Sequence, residues 1–226
     1  MTDTPYALCL LEEAGSTQDE ARRRFTGFPL LVVAARQTAG RGRRGRSWET
    51  ASRALAATLA LRLPWPEATR PRLTLVAGLA ACHALGRGVG LEWPNDLIKG
   101  SSKIGGLLAE AAGDVVAVGL GVNLYWPAPT VAGAGELYAR DPGVEAAGRL
   151  AQTWARDLLQ RVALGPEAWG REEYAGCCAT LGREVTWEPG GRGRATGVAA
   201  DGGLEVETAS GLLVLHAGEV HTVRIV

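Results

Sequence analysis

Apolar positions along this chain follow two rhythms. Short continuous runs from Tyr6 to Leu11, Leu30 to Ala35 and Ala54 to Leu63 have the length of strands, and the middle run is apolar enough for burial on both faces. Helical spacing takes over from Leu73 to Leu85, through Leu75, Leu79, Cys82 and Leu85. It returns from Glu145 to Val162, where Ala147, Leu150, Ala151, Trp154, Leu158 and Val162 share a stripe. A shorter helix is expected from Pro166 to Tyr174. The stretch from Gly90 to Lys99 reads as a strand entering a turn at Pro94, Asn95 and Asp96. Lys103 to Glu110 and Asp114 to Leu124 look like an antiparallel pair. Gly119, Gly121 and Asn123 interrupt the second member, and glycine weakens a strand unless something must approach its backbone.

From about Leu181 the texture changes to short strands separated by glycine turns: Glu184 to Glu188, Arg194 to Ala200, Leu204 to Thr208, Leu212 to His216 and Glu219 to Ile225. That spacing predicts a small all-β barrel. The domains expected are therefore 1–180 and 181–226.

Two stretches carry polar residues where pattern alone asks for none. Ser16-Thr17-Gln18-Asp19-Glu20 resembles a helix start running to about Phe25, with Ser16 or Thr17 as N-cap, and capping alone is a sufficient reason for those hydroxyls. The run from Arg36 to Trp48 interleaves Gly40, Gly42 and Gly45 with Arg41, Arg43, Arg44 and Arg46. Its backbone is free to approach a ligand, and its guanidinium forks suit phosphate or carboxylate oxygens. Without ligand, such a loop is expected to be disordered. The glycines spell G-x-G-x-x-G and nearly a P-loop, but both fingerprints need a helix to open directly afterwards, and Ala54 to Leu63 fits a buried strand at least as well.

Composition narrows the classes. Among 226 residues, 24 basic side chains balance 24 acidic ones and the pI is near 6.8, so no global field draws nucleic acid; the positive charge is concentrated in one loop. No run of about 18 apolar residues spans a bilayer and the first residues are no signal peptide, so a cytoplasmic, membrane-free location is expected. Cys9, Cys82, Cys177 and Cys178 lack metal spacing and read as reduced, mostly buried thiols; His83, His216 and His221 are scattered. Only Lys99 and Lys103 are lysine, so a retained lysine hints at chemistry needing a compact ammonium. Lys99, in the turn before the next motif, reads as a solvated loop charge.

Taken together, Gln37-x-x-Gly40-Arg41-Gly42-Arg43-x-x-Arg46-x-Trp48, Trp93-Pro94-Asn95-Asp96, Lys103-x-Gly105-Gly106 and Gly119-x-Gly121-x-Asn123, following Ser16-Thr17, resemble biotin protein ligase. The likeness spans nearly the whole chain, since Gly197 to Val220 is similar to that family's C-terminal SH3-like barrel. It implies an α/β (α+β) fold with a mixed, largely antiparallel sheet flanked by helices, like the catalytic core of class II aminoacyl-tRNA synthetases, followed by that barrel. With no helix-turn-helix before Ser16, the form without a DNA-binding domain is expected, and no specific DNA binding.

The resemblance further implies that biotin and ATP give biotinyl-5'-AMP, with Mg²⁺, and that a lysine of the biotin carboxyl carrier protein of acetyl-CoA carboxylase takes the biotinyl group. Lys103, Arg41 and Arg43 are then catalytic. Ser16, Thr17, Gln18, Gln37, Arg41, Gly42, Arg43, Lys103, Gly105 and Gly106 surround biotin; Arg41, Arg43, Arg46, Trp48, Asn95, Asp96, Lys103 and Asn123 surround the adenylate; Asp96 is the candidate Mg²⁺ ligand. One departure stands out: the family commonly has lysine before Trp-Pro-Asn-Asp, and here it is Glu92. A homodimer is left open. The alternatives are a lipoate-type ligase, and a nucleic-acid-binding module using the Arg-Gly loop.

Overall fold

The computed structural model describes residues 4–216 and 223–225. A seven-stranded sheet is formed by β1 (Ala7–Ala14), β2 (Leu30–Gln37), β3 (Arg53–Arg62), β4 (Val89–Glu92), β5 (Asp96–Lys99), β6 (Ser102–Ala112) and β7 (Val115–Tyr125). Their spatial order is β1-β2-β3-β7-β6-β5-β4. Only β1 and β2 run parallel, joined through α1 (Thr17–Arg24); every other neighbouring pair is antiparallel. The mixed, largely antiparallel sheet is as expected.

Side-chain alternation decides what each face does. Leu55, Leu59 and Leu61 of β3 and Val116, Val118, Leu120, Val122 and Leu124 of β7 join one large core with α2 (Arg72–Leu85) and α3 (Glu145–Ala163). On the opposite face the same strands carry Ala56, Thr58 and Ala60, and Gly119, Gly121 and Asn123. There α1 covers only one end, packing Ala21 on Leu30, Val32 and Ala60. The rest of that face, floored by small residues, is left open to a cavity.

The strand expected to enter a turn at Pro94, Asn95 and Asp96 does so: the turn at 93–95 reverses the chain into the hairpin β4 to β5. One local expectation changes. The helix expected from Pro166 to Tyr174 splits into a 3-10 turn, Pro166–Ala168, and α4 (Arg171–Cys177); Gly170 between them has φ +88°, which breaks the helix.

The C-terminal strands β8 (Glu184–Trp187), β9 (Gly191–Val198), β10 (Leu204–Thr208), β11 (Gly211–Leu215) and β12 (Val223–Ile225) pair in the order β11-β10-β9-β8-β12. Among the described residues β12 pairs with β8 alone, so the sheet is open where a closed barrel was expected; residues 217–222, and with them the Glu219-Val220 part of the last strand, lie outside the described residues. This sheet shares its core with the first: Val185, Val198, Leu204 and Val206 belong to the same cluster as Leu79 and Leu91. Trp93 ties them, donating from its indole to the Gly202 carbonyl at 3.0 Å and from its backbone to Thr180 Oγ1 at 2.9 Å.

Candidate functional site

The cavity on the small-residue face has a volume of about 560 Å³. Its floor is bare backbone for a reason visible at two positions. A Cβ on Gly121 would sit 3.3 Å from the Trp48 ring, and one on Gly119 would sit 3.2 Å from Gln18 Nε2. The glycines inside β7 thus let an indole and an amide lie flat on the sheet.

One end of the cavity is built by the start of α1. Ser16, Thr17 and Gln18 are 5%, 4% and 4% exposed. Ser16 holds the N-cap position but makes no side-chain cap bond, which corrects the capping expectation. Gln37, from β2, does that work: its Oε1 accepts from the Thr17 N–H at 2.9 Å and from the Thr17 hydroxyl at 3.1 Å. Thr58, a residue sequence reasoning did not single out, donates to Thr17 Oγ1 at 2.9 Å from β3. Ser16 is therefore free to face the cavity. Gln18 donates from Nε2 to the Leu108 carbonyl at 2.8 Å, and its Oε1 is buried without a partner among the described residues. Asn123, at the far end of the floor, repeats that arrangement: Nδ2 bonds the Gly135 carbonyl at 3.1 Å and Oδ1 has no partner among the described residues. Each such acceptor costs about 1–3 kcal/mol when left dry. Both line the cavity.

The glycine-arginine loop forms one wall and follows a defined path. Arg41 and Ser47 form a β-bridge around a 3-10 turn, Arg43–Gly45, and the Trp48 N–H donates to the Gly40 carbonyl at 2.9 Å. Gly40 has no room for a side chain: a Cβ would meet Gln37 Nε2 at 2.7 Å and Trp48 at 3.1 Å. Arg41 reaches Asp19 on α1 at 2.6 Å, and Arg43 reaches Asn95 Oδ1 at 3.1 Å. The strand β3 follows, so neither nucleotide-binding fingerprint has its helix. Two of the arginines are thus tied to neighbours around the cavity mouth, unlike an open basic face. Arg46 also lines the cavity, with its Nε 3.4 Å from the Arg43 carbonyl.

The opposite wall carries the charges. Lys103 Nζ donates to Asp96 Oδ2 at 2.6 Å, while Asn95 Nδ2 donates to Asp96 Oδ1 at 3.0 Å. Both Asp96 oxygens are thereby committed. Among the described residues no group of three His, Cys, Asp or Glu side chains gathers for a metal. A Mg²⁺ at Asp96 would draw its other ligands from phosphate and water oxygens, and would compete with Lys103. Glu92 sits across the β4–β5 pair from Asp96; burial first, and then the Asp96 charge, push its carboxyl up, with Lys103 pulling the other way.

Lys103, Gly106 and Leu108 line this wall because β6 carries a bulge: Ile98 pairs with Lys103 and Leu97 with Gly105, leaving Ile104 extra. Gly105 consequently turns away. A Cβ there would be 2.5 Å from the Gly121 carbonyl, so this glycine permits strand contact, while Gly106 borders the cavity beneath Trp48. Lys99 is no free charge: its Nζ bonds the Leu137 carbonyl at 2.6 Å. That anchors the Trp126 to Gly143 connection, whose residues 131–134 close the cavity beside Lys103 through a bridge from Lys103 to Ala134. No sequence signal marked this segment. Trp93, although in a motif, anchors the second sheet instead. Of the thiols, Cys178 is buried and the other three are half-buried, all free.

Residues 15–123 match the model of the biotin/lipoate A/B protein ligase family. A biotin--[acetyl-CoA-carboxylase] ligase of Mycobacterium tuberculosis is 31% identical over 96% of this chain and 89% of its own length. The chain is a member of the biotin protein ligase family. A second ligase of that name, from Paracoccus denitrificans, is 34% identical over 142 residues, covering 59% of this chain and 58% of that protein. Among solved biotin protein ligases, the one from Aquifex aeolicus in complex with biotin and ATP superposes with a TM-score of 0.83 at 27% identity over 97% of this chain and 99% of that one. The one from Leishmania major with biotinyl-5-AMP gives 0.66 at 29% identity over 93% and 99%.

Proposed function

We propose that this protein activates biotin with ATP to biotinyl-5'-AMP and transfers the biotinyl group to a lysine of a biotin carboxyl carrier protein. The observation that carries this reading is that one cavity gathers Ser16-Thr17-Gln18, Gln37, the Arg-Gly loop, Asn95-Asp96, Lys103 and Asn123.

The arrangement has a chemical division. At the α1 end, the Ser16 hydroxyl and the Gln18 Oε1 acceptor suit a ureido ring, which has two N–H donors and one acceptor. At the other end, Trp48 offers a stacking face to adenine and Asn123 Oδ1 an acceptor to the nucleotide. Between them Lys103 spans the biotin carboxylate and the α-phosphate, held in place by Asp96, while Arg41, Arg43 and Arg46 screen the two anions. The reaction needs aligned anions, screened repulsion and exclusion of water from a hydrolysable acyl-adenylate, and a loop hinged over a closed floor supplies the last two. Mg²⁺ would accompany the nucleotide phosphates. The C-terminal sheet corresponds in this reading to the SH3-like unit, and the first sheet to the synthetase-like core.

The test is incubation with ATP, Mg²⁺ and labelled biotin or lipoate, with separation of the adenylates. Biotinyl-AMP alone is expected. Lipoyl-AMP would shift the substrate, and no adenylate with either acid would overturn the reading.

A further inference from the structure

One charge in the cavity wall is not explained by adenylation. Glu92 ends β4, is half-buried and lines the cavity next to Asp96 and Lys103. Asp96 already holds Lys103 at 2.6 Å, and among the described residues no hydrogen bond or ion pair reaches the Glu92 carboxylate. Biotin and ATP enter as anions, so a carboxylate beside Lys103 with no hydrogen-bonding partner raises their energy in the first step. The acceptor lysine arrives as a cation at that same place, since the acyl carbon it attacks lies where Lys103 would bridge carboxylate and phosphate. Asp96 already balances the charge of Lys103, so Glu92 adds a second carboxylate, and with it an attraction for that cation, along its approach.

Resting on the ligase reading, we propose that Glu92 is the seat for the acceptor ammonium in the transfer step, a specificity-determining residue that hinders adenylation and favours a cationic nucleophile. Seated there, the ammonium loses a proton to water and its nitrogen forms the C–N bond. The acyl C–O bond breaks, AMP leaves with the electron pair, and the second nitrogen proton also goes to water. The chain-specific feature is the carboxylate before Trp93, where the likeness noted above commonly has a lysine.

The experiment loads the full-length protein with biotin and ATP and then offers two nucleophiles: Nα-acetyl-lysine amide, a cation, or hydroxylamine, which is uncharged at neutral pH. For E92Q the ratio of lysine to hydroxylamine rates should fall about tenfold, the effect of losing one partly screened charge contact, while pyrophosphate release rises. E92D should restore the ratio. An E92Q ratio equal to wild type, or a loss that E92D does not recover, overturns the inference. A wild type that forms no biotinyl-AMP overturns the ligase reading and this inference together; one that labels lysine no faster than E92Q does overturns this inference alone.

Discussion

Replacing Lys103 separates what its charge does for the fold from what it does for the reaction. The Lys103–Asp96 pair is short, 2.6 Å, but the side chains are 39% and 27% exposed. Solvent screening therefore limits its contribution to stability to about 0–1 kcal/mol. If the ammonium also stabilises charge moving from the biotin carboxylate to the α-phosphate, removing it deletes one preorganised electrostatic group, worth roughly 2.7–4 kcal/mol or 10²–10³ in rate. Lys103→Ala should thus melt within a few degrees of wild type and lose two to three orders of magnitude in adenylation. Lys103→Arg should lose at least about a hundredfold, because a planar guanidinium cannot follow the charge as a small rotatable ammonium does. Its position leaves little latitude, since the Lys103 N–H is bonded to the Gly133 carbonyl and its carbonyl to the Gly135 N–H. Lys99→Arg is the control: a guanidinium can still donate to the Leu137 carbonyl, so near-normal rates are expected. The assay is pyrophosphate release with biotin and ATP and no carrier. Wild-type release by Lys103→Arg at unchanged melting temperature would show that Lys103 acts only on structure, and the catalytic centre would have to move.

Three further outcomes follow from the geometry. Trypsin should cut apo protein rapidly between Gly40 and Ser47 and slowly with biotin plus ATP; equal rates would count against ordering of the loop over the adenylate. Thr58→Val keeps shape but removes the donor to Thr17, so a loss of about 1 kcal/mol, roughly 2–4 °C in melting temperature, together with weaker biotin binding by calorimetry, is expected. The carboxyl of Glu92 is raised in the fold, so the native state binds its proton more readily than the unfolded chain does. Stability from this group is lost as pH rises through the ordinary carboxylate range to the raised one, and Glu92→Gln should melt higher than wild type near neutral pH but not in acid; the reverse order in scanning calorimetry would refute the assignment.

The sequence by itself determined the strands and long helices, whose apolar periods are local, and the loop, whose glycines and arginines have few other uses. It also placed Ser16, Gln37, Lys103 and Asn123 among the site candidates, because each stood in a recognisable motif. It did not separate Gly105 from Gly106, since alternation along β6 is interrupted at Ile104, and a bulge is a property of two strands and not of one. Nor did it tell that Trp93 secures the second sheet while Asn95 and Asp96 turn to the cavity, that Gln37 replaces Ser16 as the cap of α1, or that Thr58 stands behind Thr17. Those facts depend on register and on partners dozens of residues away. Periodicity fixes which side chains share a face; only the packed strands decide which of those faces looks onto a core and which onto a ligand.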